Sequence, residues 1–410
     1  MYFNHISGTS VHAAEAPWTG TVQLFSGRIE DPFGSLNRSL PPSGVPISGD
    51  FGCVKINQFP GLQCPLYPLP LNFVYNDLEM ATPTVHHLNL SFQRQVTNDV
   101  MFDVAYVGRF GYTLEGHRHF NPAQFINSPI TGLPPSTQNI SERVLYEPGI
   151  IGPTSRVLET RYRSWYHGVE MKANKRFSQG LMFSGFYTLS KALDTLLDSG
   201  AGLTAGVANP FDLSVMKGRA QFDRRHLLGF SWMWEQRRRF ENGILEGLLA
   251  GWAISGVHNV SSGIPLNFVM GTDVALDGTG GAGRQLAQLA SGATAQDIPR
   301  DHQNRDDFIN AFFNTNAFAP VAQLPRGIYG NMGKNVISGP AMAKSDLAVM
   351  RSFRLPGREG LRFQVRGELF NAFNQVNFSQ PNQVVSSASF GRITSADDGR
   401  VGQLVAKILW

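Results

Sequence analysis

Between Leu361 and Leu369 the run LRFQVRGEL changes character at every residue. Leu361, Phe363, Val365, Gly367 and Leu369 share one face, and Arg362, Gln364, Arg366 and Glu368 the other. A period of two specifies a β-strand, so this chain must build a sheet with one apolar and one charged face. The preceding run, Asp346 to Leu355, and the turn Pro356 to Gly360 complete a hairpin. The closing run, Val401 to Trp410, sets Leu404, Ala406, Ile408 and Trp410 against Gln403 and Lys407. Two hosts suit such strands. A soluble sandwich buries the apolar face in its core. A membrane barrel turns that face to lipid and the polar face to a watery lumen.

The connections discriminate between them. His86 to Val96 and Val100 to Gly108 read as a hairpin around Thr97-Asn98-Asp99. Tyr166 to Phe177 and Leu181 to Ser190 form a second, around Ser178-Gln179-Gly180. Further runs span Arg224 to Glu235 and Gly251 to Gly263. Long stretches, 115–160, Lys191 to about Asp223 and Ile264 to Ala343, separate these units. Only a short helix around Asp306 to Asn314 stands out in the last of them. Compact soluble domains rarely carry several loops of this length. Membrane barrels alternate short turns with long loops as a rule. The expectation is an all-β, antiparallel transmembrane β-barrel, here an incomplete C-terminal portion of about nine strands with long extracellular loops.

Composition agrees. Charged residues make up 16% of the 410, below the ~25% of soluble domains, while aromatics reach 11%. No apolar run attains the ~20 residues of a membrane helix, which leaves barrel strands open. The net charge is +4, but the basic residues are scattered and Arg237-Arg238-Arg239 is the one tight run. Nucleic acid is therefore not an expected partner.

Residues 1–83 are rich in proline and lack a sustained period, so they read as an extracellular-loop-like region, with 84–410 carrying the barrel strands. Cys53 and Cys64 lie within the first region. Their short separation suggests a disulfide closing a loop in an oxidising compartment, contributing about 2–3 kcal/mol. The N-terminus lacks the basic and apolar regions of a signal peptide, which suggests that the chain is not exported or that the true start lies upstream.

No constellation for catalysis survives scrutiny. Asp223-Arg224-Arg225-His226 reads as polar contacts where a loop enters a strand. Asp277 to Gly283, DGTGGAG, lacks the lysine and hydroxyl of a phosphate-binding loop and reads as a flexible loop. Ser261-Ser262-Gly263 is not a nucleophile elbow. His86, His87, His117 and His119 read as strand-end and loop residues. The chain is expected not to be an enzyme and to need no cofactor or metal.

In a barrel, Glu170, Lys172, Arg362, Gln364, Arg366 and Glu368 would face the lumen. Phe177, Trp234, Phe353 and Trp410 end strands just before a short turn or the terminus, and Trp252 and Phe363 follow such turns. Amphipathic rings favour the headgroup level, so these form a candidate aromatic girdle on the short-turn side. That side would be periplasmic, with the loops around Gly200 and Gly280 outside.

Several segments resemble a known family. YHGVEMKANKRFSQGLMFSGFYTLSKALD, from Tyr166, is similar to the strand–turn–strand segment of Oar-like TonB-dependent receptors. GWAISGVHNVSSGIPLNF, GNMGKNVISGPAMAKSDLAVMRSF, LRFQVRGELFNAFNQVNFSQP and the ending FGRITSADDGRVGQLVAKILW resemble later segments in order. The resemblance covers most of 84–410. It implies an outer-membrane barrel plugged by an N-terminal domain and energised by the TonB complex, taking up a ligand not yet named. Signal peptide, regulatory-like domain, plug and first strands have no counterpart in this sequence. An outer-membrane adhesin that transports nothing is the competing reading, and a soluble β-rich binding protein a third.

Overall fold

The computed structural model describes residues 70, 72, 74–149, 151–196, 207–236, 241, 250–279, 284–354 and 361–409. Cys53, Cys64 and Trp410 lie outside the described residues. The described residues fall into two compact units, one holding those up to 80 with those of 117–159 and 275–279, the other those of 81–116, 160–274 and 284–409.

The larger unit is built on a sheet. Its long strands are β2 (Thr84–Gln95), β3 (Val100–His119), β4 (Arg156–Ser178), β5 (Leu181–Asp194), β7 (His226–Glu235), β8 (Trp252–Ser261), β11 (Met342–Arg354), β12 (Arg362–Phe370) and β13 (Val401–Leu409). They lie in the order β13-β12-β11-β8-β7-β5-β4-β3-β2, so neighbours in sequence are neighbours in space. The sheet is antiparallel, as the alternation demanded. A short strand, β6 (Gly218–Arg219), pairs with the end of β5, while in the smaller unit β1 (Val74–Asn76) runs parallel to residues 156–158 at the start of β4. Among the described residues no pairing joins β2 to β13.

Register fixes which residues share a face. Phe353 opposes Phe363, and Phe363 opposes Ile408. Val349 opposes Ile254, which opposes Trp234, which opposes Leu181. One face therefore carries most of the apolar residues of the long strands, and many are exposed: Leu90, Phe92, Phe102, Met171, Leu228, Phe230, Val260, Val365, Leu369 and Leu404 among them. A monomer in water rarely shows an apolar patch of more than a few hundred Å², because water would drive it onto any partner. In hydrocarbon the same surface is satisfied, and the paired ladders leave few backbone groups to solvate.

Two strands run further than the pattern of the sequence suggested. The stretch 115–160 was expected to be loop, yet β3 reaches His119 and β4 begins at Arg156. Along β4 the outward residues Val169 and Met171 are apolar; higher up, Arg163 points out while Tyr162 is 2% exposed and packs inward. The apolar side of the strand changes over, so a single-phase alternation cannot reveal its upper part.

The described parts of the long connections are folded. The link from β8 to β11 contains β9 (Pro265–Leu266), antiparallel to β10 (Ile337–Ser338), and a short helix α1 (Arg305–Asn310). Asn304 caps α1 by accepting from the Asp307 amide at 2.9 Å. The helix ends earlier than the expected Asn314, because Phe313 is drawn into a core. That core joins Leu266, Phe268, Ile298, Phe313, Phe318 and Met332, with Phe390 of the β12–β13 connection against it. A second cluster packs Val207, Ala208, Met216 and Leu286 against Tyr162 of β4.

The smaller unit centres on Arg143, wholly buried. Its guanidinium donates to Asn139 Oδ1 at 2.9 Å, to the Ser136 and Leu276 carbonyls at 3.1 Å, and to the Gln124 carbonyl. Arg118 and Glu159 form an ion pair at 3.0 Å. Here DGTGGAG departs from expectation. Asp277 and Thr279 are buried, and the Asp277 carboxylate accepts from the Thr279 amide at 2.9 Å. A Cβ on Gly278 would stand 2.2 Å from Ile140, so this end of the motif is fixed packing and not a flexible loop. Residues 280–283 lie outside the described ones.

Candidate functional site

Three surfaces bear on function: the outward face of the sheet, its opposite face, and the packed connections. The charged candidates share the opposite face in two separate groups, Arg362, Gln364, Arg366 and Glu368 on β12 and Glu170 and Lys172 on β4, with β11, β8, β7 and β5 between them. Arg366 and Glu368 approach to 2.6 Å, and Lys172 and Glu170 to 3.2 Å. Residues two apart on a strand share a face, so each pair is a local neutralisation. Gln364 donates to Ser352 Oγ at 3.3 Å, and Arg362 opposes Arg354 on β11.

The aromatic candidates that are described cluster at the short-turn ends. Phe353 and Phe363 are directly opposed, their ring centroids 6.3 Å apart. Arg351 lays its guanidinium over both Trp252, at 5.3 Å, and Phe353, at 4.6 Å. A planar cation over a ring face gains from the quadrupole while its stem covers apolar surface. Gly367 adds no side chain beside them, and a shallow depression lined by Trp252, Val349, Arg351, Phe353 and Val365 results. Trp234 ends β7, and Phe177 lies next to Ser178, which opposes Leu181.

The hairpin turns are stapled by charge. Asp99, between β2 and β3, accepts from Lys175, Ser178 and Thr97. The ammonium of Lys175, then the two hydroxyls, hold its carboxyl well below the usual range. At the long-loop ends the buried groups are paired. Lys334 is 0% exposed at its side chain and donates to Asp194 and to the Leu196 carbonyl. Arg219 donates to Asp223, itself buried, at 2.8 Å. The Asp223 to His226 stretch thus makes strand-entry contacts, as expected.

Histidines on the outward face went unrecognised in the sequence. Tyr106 pairs its hydroxyl with His167 Nδ1 at 2.7 Å, and Tyr187 with His226 Nδ1 at 2.8 Å. Trp232 donates to His258 Nε2 at 3.0 Å. The signal was there in the phase of the alternation: His167 shares its parity with Val169 and Met171, and His226 with Leu228 and Phe230. Among the described residues no cluster of His, Cys, Asp and Glu could hold a metal ion, and no helix is long and apolar enough to cross a membrane.

Comparison with known proteins places the fold. Residues 1–403 match the family described as "Outer membrane beta barrel domain". Among solved structures, the outer membrane transporter YddB from Escherichia coli is similar, with a TM-score of 0.43 at 9% identity. The match covers 82% of this chain and 34% of YddB, so the chain spans about a third of that protein's length. No curated protein matches. An antiparallel sheet with its apolar residues exposed on one face is what such a family requires, and this chain belongs to the outer membrane β-barrel domain family and resides in the outer membrane.

Proposed function

We propose that this chain is the barrel portion of an Oar-like TonB-dependent receptor, working in energy-coupled uptake of a ligand across the outer membrane. The observation that carries this reading is the packing of the long connections. Phe268, Phe313, Phe318 and Phe390 from two separate connections share one core. Ordering so long a segment costs conformational entropy that a mere linker would have no reason to offset. A preformed loop surface suits capture of a ligand, after which the lumen would pass it on. The segment resemblances from Tyr166 onward support the finer family assignment. In this reading Glu170, Lys172, Arg362, Gln364, Arg366 and Glu368 line the lumen. Phe177, Trp234, Trp252, Phe353, Phe363 and Trp410 form the periplasmic girdle. The partners are membrane lipid and, through segments beyond this sequence, the TonB complex. No reaction is catalysed.

Uptake and adhesion part under one experiment. In the source bacterium, deleting the gene and dissipating the proton gradient should spare the same solutes from depletion in a labelled nutrient panel. A deletion that changes surface attachment but no solute's depletion would replace uptake with the adhesin reading. Sidedness is read separately: cysteine at Ser291 should label in intact cells, whereas cysteine at Gln179 should not.

A further inference from the structure

We propose that the outward face at the long-loop ends of β4, β5 and β7 is a binding site for the phosphorylated headgroup of a membrane lipid, held by Arg163, Lys191 and Lys217 with His167 and His226.

The level comes from where the outward residues change character. On β4 they pass from Met171 and Val169 through His167 to Arg163; on β5 from Leu189 to Lys191; on β7 from Leu228 to His226. Inward residues at the same height, Tyr162 and Ala192, are buried. On three adjacent strands the outward surface turns from aliphatic to polar, reaching His226 on β7, Lys191 on β5 and, past His167 and Trp165, Arg163 on β4; such a change marks the boundary between acyl chains and headgroups.

The groups form one patch. Lys191 opposes His167 directly, and Leu189, two residues before it, opposes His226. Lys217 holds its ammonium 5.1 Å from the Trp165 ring, and Arg163 its guanidinium 5.9 Å from the Tyr112 ring. The rings anchor the stems while Arg163, Lys191 and Lys217 stay exposed. Each histidine has Nδ1 engaged by a tyrosine hydroxyl. When that hydroxyl donates, the ring proton sits on Nε2, a donor for a phosphate oxygen.

Charge favours an anion. The acids of β5 and the β6–β7 link that could neutralise the patch, Asp194 and Asp223, are buried in pairs with Lys334 and Arg219. Glu115 on β3 and Asp212, five positions before Lys217, are exposed acids against the three exposed cations Arg163, Lys191 and Lys217. The exposed balance is positive. The occupant is a lipid and not free phosphate, because the patch is continuous with the apolar face below it, where acyl chains would lie.

Native mass spectrometry of the detergent-extracted full chain tests this. The protein is offered phosphatidic acid and phosphatidylcholine of identical acyl chains in equal amounts. The expected result is a preference for phosphatidic acid that falls roughly fivefold for each cation removed in Arg163→Gln, Lys191→Gln and Lys217→Gln. Arg305→Gln, which removes a cation stacked on Phe378 in the loops, should leave the preference intact. Should the triple variant fail to fold, Lys191→Gln alone, an exposed change, must still lower the preference. Equal retention of both lipids by the wild type, an undiminished preference in the variants, or displacement of the lipid by inorganic phosphate would each overturn the proposal.

Discussion

Lys334, wholly buried, donates its ammonium to Asp194, a residue 140 positions earlier at the end of β5. One ion pair thus fastens the β8–β11 connection to the sheet. Burial pushes the Lys334 ammonium's pKa down, with the Asp194 carboxylate acting in the opposite direction. Removing one partner strands the other charge away from water. Lys334→Met should cost about 3–5 kcal/mol, and adding Asp194→Leu should recover most of that. Urea unfolding of the single and double variants measures both. A double variant no more stable than the single one would argue against a stranded charge as the cause.

The loop core should be separable from the sheet. Phe268 is 1% exposed and meets Phe313 and Phe318 at 4.7 and 4.8 Å. Phe268→Ala should cost about 3–5 kcal/mol locally. Limited proteolysis should then cut within 264–341 while strand amides keep their hydrogen-exchange protection. Protection lost equally in β11 and β12 would mean that loops and sheet unfold as one.

The two faces should answer differently to charge. Val365 is outward, and Gln364 shares its face with Arg366 and Glu368. Val365→Arg should cost about 2–4 kcal/mol if it lies near the bilayer midplane, and Gln364→Arg close to nothing. Folding yield into lipid vesicles is the readout, and similar yields for both would count against a lipid-facing Val365.

Acid should loosen the first hairpin. Asp99 titrates below its ordinary value of 3.8 in the folded chain because Lys175, Ser178 and Thr97 donate to its carboxylate. A depressed folded pKa contributes stability above the unfolded value. That contribution drains as pH falls from about 3.8 towards the folded pKa and is absent below it. Asp99→Asn should flatten the pH dependence of hairpin exchange in this window, with little change at neutral pH beyond the lost ion pair. A wild-type profile that is already flat there would refute the linkage.

How much of this was legible in the sequence depended on which solvent each face meets. Leu361 to Leu369 announced itself because one face is apolar and the other charged along its whole length. The upper parts of β3 and β4 did not, because there the outward side turns polar and Tyr162 packs inward against Val207 and Met216. Local pattern holds no record of that change of environment. The loop core was equally hidden: Phe268, Phe318 and Phe390 are far apart in sequence and follow no period. The pairing of Lys334 with Asp194 could not be read for the same reason. Asp223 was read as a strand-entry contact without its partner, Arg219, which lies four positions earlier.

The order of the strands restricts what the sheet can join. Among the described residues β2 and β13 stand at opposite ends of an antiparallel row of nine long strands, so these two edges point the same way across the membrane. Two copies inserted in one orientation would then meet edge to edge only in parallel, whichever edges they brought together. Assembly of copies into a ring by antiparallel pairing is thereby forbidden. A segment that pairs with both of these edges in antiparallel fashion needs an odd number of strands, its outermost ones running opposite to β2 and β13. The polarity of its edges makes this sheet unable to complete itself with its own kind.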